Sequence, residues 1–429
     1  MSRKTFNGMI RILLFSILIL QLAKANDNWP DYRGPNHDGT VHESAVIPLE
    51  WGEGKNVKWK TAIHGRAWSS PVIWENQIWL TTATNDGKNL SGICINKKDG
   101  KIVYDKLLFE IEEPQFAHKF NSYASPSPAL EEGRAYLHWG SPGTACIDTQ
   151  TLKTLWTIPD FKCDHFRGAG SSPFIYKNLI ILTMDGADHQ YLVALNKNNG
   201  KTVWRTDRST DFKDLDVNGK PKRDGDMRKC YATPIIANSN GRDLLISPGA
   251  RAAWAYDPMT GKEIWQFRYK NHSSASRSIF VNGLLYINSG YPVAELFAVK
   301  PEGIGDITDS NKVWGTAGST IPKKPSPVLH EGLLYICSDS GIASCLEAST
   351  GKEIWKARIG GNYSAALIRH KNRIYAFSED GKGIVFSTGR TFQKLAENQL
   401  PHGFMASPAV SENALFLRTK KDLYRIEEG

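Results

Sequence analysis

The chain has 429 residues, of which 41% are hydrophobic, and it carries a formal net charge of +9. This length and hydrophobic content suffice for a substantial core and exclude an intrinsically disordered protein. The positive charge suits an anionic partner. Because the sequence has no run of Arg and Lys interleaved with aromatic residues, it disfavours nucleic acid and favours an acidic polysaccharide.

The first 25 residues have the pattern of a secretory signal peptide. Basic residues (Arg3, Lys4 and Arg11) flank the start, the apolar run Ile12–Leu20 follows, and an A-x-A cleavage signal closes the segment. We predict cleavage after Ala25 and a periplasmic or secreted mature chain without membrane insertion. An uncleaved anchor helix is the alternative, which the shortness of the apolar run disfavours.

Residues 26–429 are predicted to form a single domain that begins with an irregular lead-in over residues 26–55. The lead-in contains the Pro- and Gly-rich stretch NWPDYRGPNHDG, which we expect to pack across the rest of the fold. The stretch Val57–Ile63 then reads VKWKTAI, a strand that carries a Trp but lacks the first half of a repeat before it.

One sequence motif recurs along the remainder of the chain. Asp257–Phe267 reads DPMTGKEIWQF, and copies appear at Asn196–Thr206 and Glu347–Ala357, with weaker ones at Asn96–Lys106 and Asp148–Ile158. Asp or Asn opens a tight turn, Gly supplies a positive φ, and an alternating strand follows. We predict that each Trp packs its repeat against the next one.

A Ser-Pro-like opening precedes each repeat, and there are eight such openings. They begin at Ser69, Ser125, Ser171, Ala232, Ser276, Pro325, Tyr363 and Ala406. The last repeat has no Trp strand, which the isolated strand at Val57–Ile63 supplies. We therefore predict an all-β, eight-bladed β-propeller of four-stranded antiparallel blades, closed by an N-terminal strand in the last blade. A linear solenoid is the alternative, but no polar caps are visible at its ends.

The Ser-Pro openings, the D-x-x-T-G-K-x-x-W turn and the eight copies resemble the pyrroloquinoline-quinone-type (PQQ-like) repeat propellers. That family includes the quinoprotein alcohol dehydrogenases and the outer-membrane assembly lipoprotein of the β-barrel machinery, and some members are similar to proteins of ulvan-like polysaccharide degradation. The resemblance covers nearly all of Asn28–Gly429 and implies the fold, whereas propellers support many activities.

The same resemblance would imply an adjacent Cys-Cys pair beneath the quinone and an acidic and amide cluster for calcium. Neither pattern is apparent, so we expect no PQQ and no other cofactor. The six cysteines contain no CxxC motif. Cys163 and Cys230 lie in successive loops between repeats, and their pairing in an oxidising compartment is an open alternative.

Polar residues concentrate in the loops before the innermost strands and after the second strands, which open on one face of a propeller. Seven of the eleven histidines lie in these loops. Such a rim predicts a ligand site. The catalytic candidates are His165, Arg167, His189 and Tyr231. The substrate-binding candidates are His118, Tyr123, His138, Arg251, Arg277, Lys324, Tyr363 and His402.

This set of side chains suits an anionic sugar, because Arg holds a carboxylate in bidentate fashion and aromatic rings stack on sugar faces. We predict elimination next to a uronate carboxylate, by a polysaccharide lyase or an oligosaccharide dehydratase. Arg167 and Arg251 would hold the carboxylate, and His165, His189 or Tyr231 would serve as base or acid. The alternative is a non-catalytic periplasmic scaffold that binds a protein partner.

A divalent cation is a further alternative, with Asp185, Asp188 and His189 as its possible ligands. Their D-G-A-D-H spacing is not a recognised metal motif, and acidic residues are common in turns at strand ends. We therefore predict no metal site.

Overall fold

The computed structural model describes residues 28–429, and the predicted signal peptide lies outside this range. Strands make up eight sheets, and the one helical element is a 3-10 turn at Lys222–Gly225 within the described residues. Over that range, no helix has the length and hydropathy that a membrane crossing requires. The predicted all-β architecture of eight four-stranded antiparallel blades is confirmed.

We number the blades 1 to 8 in chain order, each written from its innermost strand outward. Blade 1 is Val72–Trp74, Gln77–Ala83, Asn89–Asn96 and Ile102–Glu110; blade 2 is Ala129–Glu131, Arg134–His138, Gly143–Asp148 and Thr154–Pro159; blade 3 is Phe174–Tyr176, Leu179–Asp185, Gln190–Asn196 and Thr202–Asp207; blade 4 is Ile235–Ser239, Arg242–Pro248, Ala252–Tyr256 and Glu263–Arg268. Blade 5 is Ile279–Val281, Leu284–Asn288, Glu295–Val299 and Lys312–Ala317; blade 6 is Val328–His330, Leu333–Cys337, Ile342–Glu347 and Glu353–Arg358; blade 7 is Ile368–His370, Arg373–Phe377, Lys382–Ser387 and Lys394–Gln399.

Blade 8 is assembled from both ends of the described chain. Its inner three strands are Ala409–Ser411, Ala414–Arg418 and Asp422–Ile426, and its outermost strand is Val57–Ala62. The last two pair antiparallel, with Val57 opposite Ile426. Blade 4 carries a fifth short strand, Gly305–Asp306, parallel to its outer edge.

Six of the eight blades carry the recurring Trp in their outermost strand, and it joins each of them to the next blade, as predicted. The indole nitrogen of Trp156 in blade 2 donates to the carbonyl of Lys197 in blade 3 at 3.0 Å, and Trp314 donates to Ala348 at 2.9 Å. The Gly of the receiving turn has φ +71° at Gly200, and a Cβ there would lie 2.9 Å from the Trp156 ring. The motif therefore needs Gly both for its backbone conformation and for the approach of the neighbouring indole.

The Ser-Pro openings form a hydrogen-bonded ring around the central channel. At six of the eight blade-to-blade junctions a backbone N–H of one blade donates to a hydroxyl of the next blade, at distances between 2.8 and 3.0 Å. The accepting residues are Ser70, Ser127, Ser172, Thr233, Ser326 and Ser407. Arg277 and Ala366 occupy the two ring positions that have no hydroxyl.

The lead-in enters the central channel and plugs one end of it. Trp29 forms a bridge with Ile73 of blade 1, and the carbonyl of Pro30 accepts from the N–H of Leu130 in blade 2. The guanidinium of Arg33 donates at 2.5 Å to the carbonyl of Pro327, beside blade 6, and to that of Leu367, beside blade 7.

A buried ion pair fixes the plug on the remaining side. Arg277 of the ring donates to Asp31 at 2.5 Å and to the carbonyl of Pro234 at 2.8 Å and 3.1 Å, and it has no solvent exposure. Burial by itself would raise the pKa of Asp31, but the charges of Arg277 and His37 hold that pKa well below its usual value. Within the described residues, the lead-in therefore blocks one end of the channel, and the other end opens on the face of the rim loops.

Candidate active site

A cavity of about 410 Å³ occupies the open end of the channel. This volume is typical of a site for a small organic ligand. The loops that lead into all eight blades contribute to its lining, together with one residue of the plug. Its principal polar lining residues are Tyr32, His118, Asn121, Arg167, Asp226, Lys229, Tyr231, His272, Tyr291, Lys324 and the six hydroxyls of the ring.

Two cations of the cavity share one carboxylate. Arg167 Nε lies 3.4 Å from Asp226 Oδ1, and the Lys229 ammonium contacts the same oxygen. Both cations also approach the ring of Phe166, with Lys229 Nζ 4.8 Å and the Arg167 guanidinium carbon 5.4 Å from its centroid. One carboxylate beside two cations leaves a net positive charge at this wall of the cavity.

The long loop between blades 3 and 4, residues 208–234, is an insertion that positions this wall. Arg228 is paired with Asp214 at 2.5 Å, which ties the end of the insertion to its middle. Gly225 turns with φ +77°, and a Cβ there would lie 2.4 Å from the carbonyl oxygen of Ala187. Asp226 and Lys229 follow this turn directly, so their side chains reach the cavity.

Lys229 and Tyr231 have the chemistry of a base and an acid. Burial, reinforced by the charge of Arg167, lowers the pKa of Lys229 to about 7. The contact with the Asp226 carboxylate opposes this shift by favouring the ammonium, so both the ammonium and the neutral amine are accessible near neutral pH. Burial raises the pKa of Tyr231, which keeps its phenol protonated. The Tyr231 hydroxyl is buried and has no hydrogen-bond partner among the described residues. Leaving a buried donor without a partner is unfavourable, so a ligand that reached this hydroxyl would gain by accepting from it.

Two histidines line the cavity, and both are held neutral. Burial, and then the nearby Lys229 and Arg251, lower the pKa of His272 to about 4. Burial and the Arg167 charge also lower the pKa of His118. Nδ1 of His272 lies 2.8 Å from the Ser273 hydroxyl.

Aromatic side chains form the mouth of the cavity. The loop before blade 2 extends across the opening to blade 6, where Lys324 Nζ lies 4.1 Å from the centroid of the Phe120 ring. Trp68 supports this loop by donating its indole N–H to the Phe120 carbonyl at 3.0 Å. Tyr291 lies beside Lys323, whose ammonium is 4.4 Å from its ring centroid. The mouth combines flat apolar faces with cations.

The structure brings four of the twelve predicted site residues to the cavity. They are His118, Arg167, Tyr231 and Lys324. These four derive from the loops before blades 2, 3, 4 and 6, so these loops open on one face of the propeller, as expected.

Four other predicted residues are buried in the fold instead. His165 Nε2 accepts the Ser141 N–H at 3.0 Å, and His138 Nδ1 lies 2.8 Å from the Thr144 hydroxyl. Arg277 is neutralised by Asp31 within the plug, and Tyr363 lies in an apolar core. Because these side chains are buried within the fold, they do not line the cavity as the loop pattern predicted.

The last four lie outside the cavity lining. Tyr123 packs over Gly87, where a Cβ would lie 2.6 Å from its ring. Arg251 donates to the Lys270 carbonyl at 2.8 Å, and His189 lies 3.8 Å from Asp188 with about half of its side chain exposed. His402 is exposed on its loop. Position in a rim loop does not determine whether a side chain points inward.

Several cavity residues were not among the sequence predictions. Lys229 and His272 lie in the polar loops before blades 4 and 5, but a Lys or His in a loop is commonly solvated and gives no specific signal. No feature of the sequence around Asp226 predicted a role in the site. Tyr32 belongs to the lead-in, whose course into the channel has no sequence pattern that could have indicated it.

The residues considered for a metal and for a disulfide have other partners. Asp185 forms a buried bidentate ion pair with Arg208, at 2.8 and 3.0 Å, and is therefore unavailable as a ligand. Cys163 and Cys230 are not bonded to each other. The thiol of Cys230 instead lies 3.2 Å from the Ser274 carbonyl.

The cavity does not fit the quinone–calcium unit of the dehydrogenases. Its one carboxylate, Asp226, is taken up by two cations, and its one amide, Asn121, donates to the carbonyls of Arg167 and Ala169 and accepts the Ser122 N–H. Calcium needs six to eight oxygen ligands. The described residues provide no such set, and no group of three or more metal-ligating side chains occurs among them.

Acid should destabilise the fold through its buried histidines. Burial lowers the pKa of His165 from 6.5 to about 4. Between these values the unfolded chain binds a proton that the folded chain does not, so stability is complete above about pH 6.5 and is lost as the pH falls towards 4. Between pH 7 and pH 4 the free energy of unfolding should therefore fall by about 3 kcal/mol less in His165→Gln than in the unaltered protein. The measurement is urea unfolding at both pH values.

The matched control is His189→Gln, since this imidazole is exposed on the same face. It should leave the pH dependence as in the unaltered protein. An equal change in both variants would contradict a structural role for His165.

The chain is similar to known propellers in part of its sequence and in its fold. The family model described as outer membrane protein assembly factor BamB matches residues 249–427. The crystal structure of BamB from Moraxella catarrhalis superposes with a TM-score of 0.57 at 14% identity, covering 86% of this chain and 99% of that one. A europium-containing methanol dehydrogenase gives a TM-score of 0.53 at 11% identity, covering 96% and 91%. These similarities support a PQQ-like β-propeller.

One curated protein matches part of this chain in sequence and is the longer of the two. Tetrathionate hydrolase from Acidithiobacillus ferrooxidans is 25% identical over 301 residues, which are 66% of this chain and 53% of the relative. The chain thus spans about half the length of the curated relative it matches.

Proposed function

We propose that the cavity is an active site for a uronate-bearing oligosaccharide or polysaccharide, which it cleaves or dehydrates by elimination. The observation that carries this proposal is the grouping of Arg167, Lys229 and Tyr231 on one wall of a cavity with an aromatic mouth. A predicted signal peptide is consistent with action in the periplasm or outside the cell.

Each of the three side chains has one task in the reaction. Arg167 holds the uronate carboxylate and stabilises the charge that develops on it. Lys229, as the neutral amine, takes the proton from the carbon next to the carboxylate. The electrons of that C–H bond form a C=C bond as the neighbouring C–O bond breaks, and Tyr231 donates its proton to the leaving oxygen. Proton transfer from the Lys229 ammonium to the phenolate restores both groups.

This assignment replaces the predicted bases. His165 is buried with its Nε2 occupied by a backbone N–H, and His189 is outside the cavity. Phe120, Trp68 and Tyr291 supply the flat faces on which sugar rings stack.

Tyr231→Phe should lower kcat/KM by about 10²-fold, because the leaving oxygen loses its acid. The assay follows absorbance of the conjugated unsaturated uronate on a panel of uronate oligosaccharides and polysaccharides. The hydroxyl has no internal partner, so its removal should leave the melting temperature unchanged.

Tyr363→Phe is the matched control. Its hydroxyl is also buried without a partner, but it lies outside the cavity, so activity should be kept. If no uronate substrate gives a rise in absorbance, elimination is excluded, and the scaffold alternative, which the match to the BamB model favours, takes its place.

Hydrolysis of a sulfur oxyanion is a second candidate. It is favoured by the 25% identity to tetrathionate hydrolase and by the cationic cavity wall. Loss of tetrathionate on incubation with the protein, abolished by Arg167→Gln and retained by Arg251→Gln, would support it. A protein that produces unsaturated uronate and leaves tetrathionate intact would rule it out.

A further inference from the structure

The floor of the cavity has a composition different from that of its wall. Six hydroxyls of the channel ring line it, and Tyr32 of the plug closes it. All six ring residues are at least nine-tenths buried. The Thr233 hydroxyl interacts with the phenol of Tyr32, which brings the plug to the level of the ring.

These hydroxyls have one unused hydrogen-bonding function. Each oxygen accepts a backbone N–H from the preceding blade. A hydroxyl also has a proton to donate. For the five serines of the ring, no acceptor for that proton occurs among the described residues. The floor therefore includes several buried hydroxyls whose protons have no acceptor among the described residues, and no carboxylate belongs to this part of the lining.

The plug also determines how a ligand enters. Trp29–Arg33 bonds to the inner parts of blades 1, 2, 6 and 7, and Asp31 joins it to Arg277 of the ring. A polymer cannot pass through a channel that is blocked in this way. With about 410 Å³ above the plug, the cavity has room for one or two sugar units.

We propose that the hydroxyl ring above Tyr32 is a subsite for the terminal unit of a saccharide chain. The donors of the ring bind the oxygens of that unit, while the rest of the chain leaves through the aromatic mouth. This inference rests on the proposed function and adds that the protein acts on chain ends and not on internal linkages.

Binding as a function of chain length tests the subsite without requiring turnover. Uronate oligosaccharides of four and of about twenty units are titrated by calorimetry, and the dissociation constant is expressed per chain. For a terminal subsite we expect the same constant for both lengths, since each chain has one end that fits. An affinity per chain that rises in proportion to the number of internal units would overturn the proposal, and so would the absence of binding.

Ala366 allows the floor to be filled without removing a hydrogen bond. It lies at a ring position that has no hydroxyl and it lines the cavity. Ala366→Leu should weaken binding of the tetrasaccharide by at least 10-fold. Ala366→Ser restores a hydroxyl at this position and should fold and bind at least as well as the unaltered protein. Equal binding by Ala366→Leu and the unaltered protein would contradict the subsite.

The products of turnover separate this inference from the proposed function. An oligosaccharide with a fluorescent label at its reducing end should be shortened from one end, giving a regular series of labelled products or, for dehydration, one labelled product of unchanged length. Unsaturated products of internal cleavage would overturn the terminal subsite while leaving elimination intact. Chain-end binding without any unsaturated product would support the subsite and overturn elimination.

Discussion

Asp31→Asn should lower the free energy of unfolding by about 3–5 kcal/mol, because it leaves the guanidinium of Arg277 buried without a counter-charge. Asp31 accepts from Arg277 at 2.5 Å, and neither side chain has appreciable exposure. The loss is measured by chemical denaturation at pH 7. The loss of stability should be accompanied by looser attachment of Trp29–Arg33 within the channel, because Asp31 belongs to this segment.

A double variant distinguishes the contribution of the two charges to stability from the contribution of side-chain packing. Asp31→Leu combined with Arg277→Met removes both charges, and we expect a smaller loss than for Asp31→Asn alone. Asp207→Asn is the surface control, because its partner Arg205 is exposed and such pairs contribute at most about 1 kcal/mol. Similar losses for Asp31→Asn and Asp207→Asn would contradict the role assigned to the buried pair.

Lys229→Met should lower kcat/KM for uronate substrates by about 10³-fold or more, because it removes both the base and a cation of the cavity wall. In the unaltered protein kcat/KM should rise as the pH increases through about 7, where Lys229 becomes the neutral amine. The measurement is a pH profile of kcat/KM between pH 5 and pH 9.

Lys229→Arg keeps a positive charge at this position, but the guanidinium does not release its proton near pH 7. It should therefore abolish the rise near pH 7 together with most of the activity. Lys270→Met is the control on the neighbouring loop, where the lysine is exposed and is not part of the cavity lining. Persistence of the same rise in Lys229→Arg would assign the titration to another group.

The fold could be predicted because its determinants are local and repeated. The turn around Gly200, the anchor Trp156 and the opening at Ser171 each use a few consecutive residues, and eight copies of such a unit define a closed ring. A periodic pattern of this kind predicts strands and their order without any long-range information.

The sequence predicted which face of the propeller carries the candidate site, but it did not predict which side chains line the cavity. Arg167 and Tyr231 reach the cavity, whereas His165, two residues from Arg167, is turned into the blade by the N–H of Ser141. The position of Lys229 depends on how an insertion folds back. Side-chain direction in irregular loops is determined by tertiary contacts, and loop sequence carries little of that information.

The pairing of Val57–Ala62 with Asp422–Ile426 also has a consequence for how the chain folds. Residues from the two ends of the array meet in one ladder, so that the ring cannot close until its last strand has been made. Contacts of such large sequence separation carry a high loop-closure entropy and slow the folding reaction. Until then the partly folded molecule is an arc with two unpaired strand edges, the state most exposed to aggregation or to exchange of strands between molecules. Closure of blade 8 should thus be the late, rate-limiting event of folding.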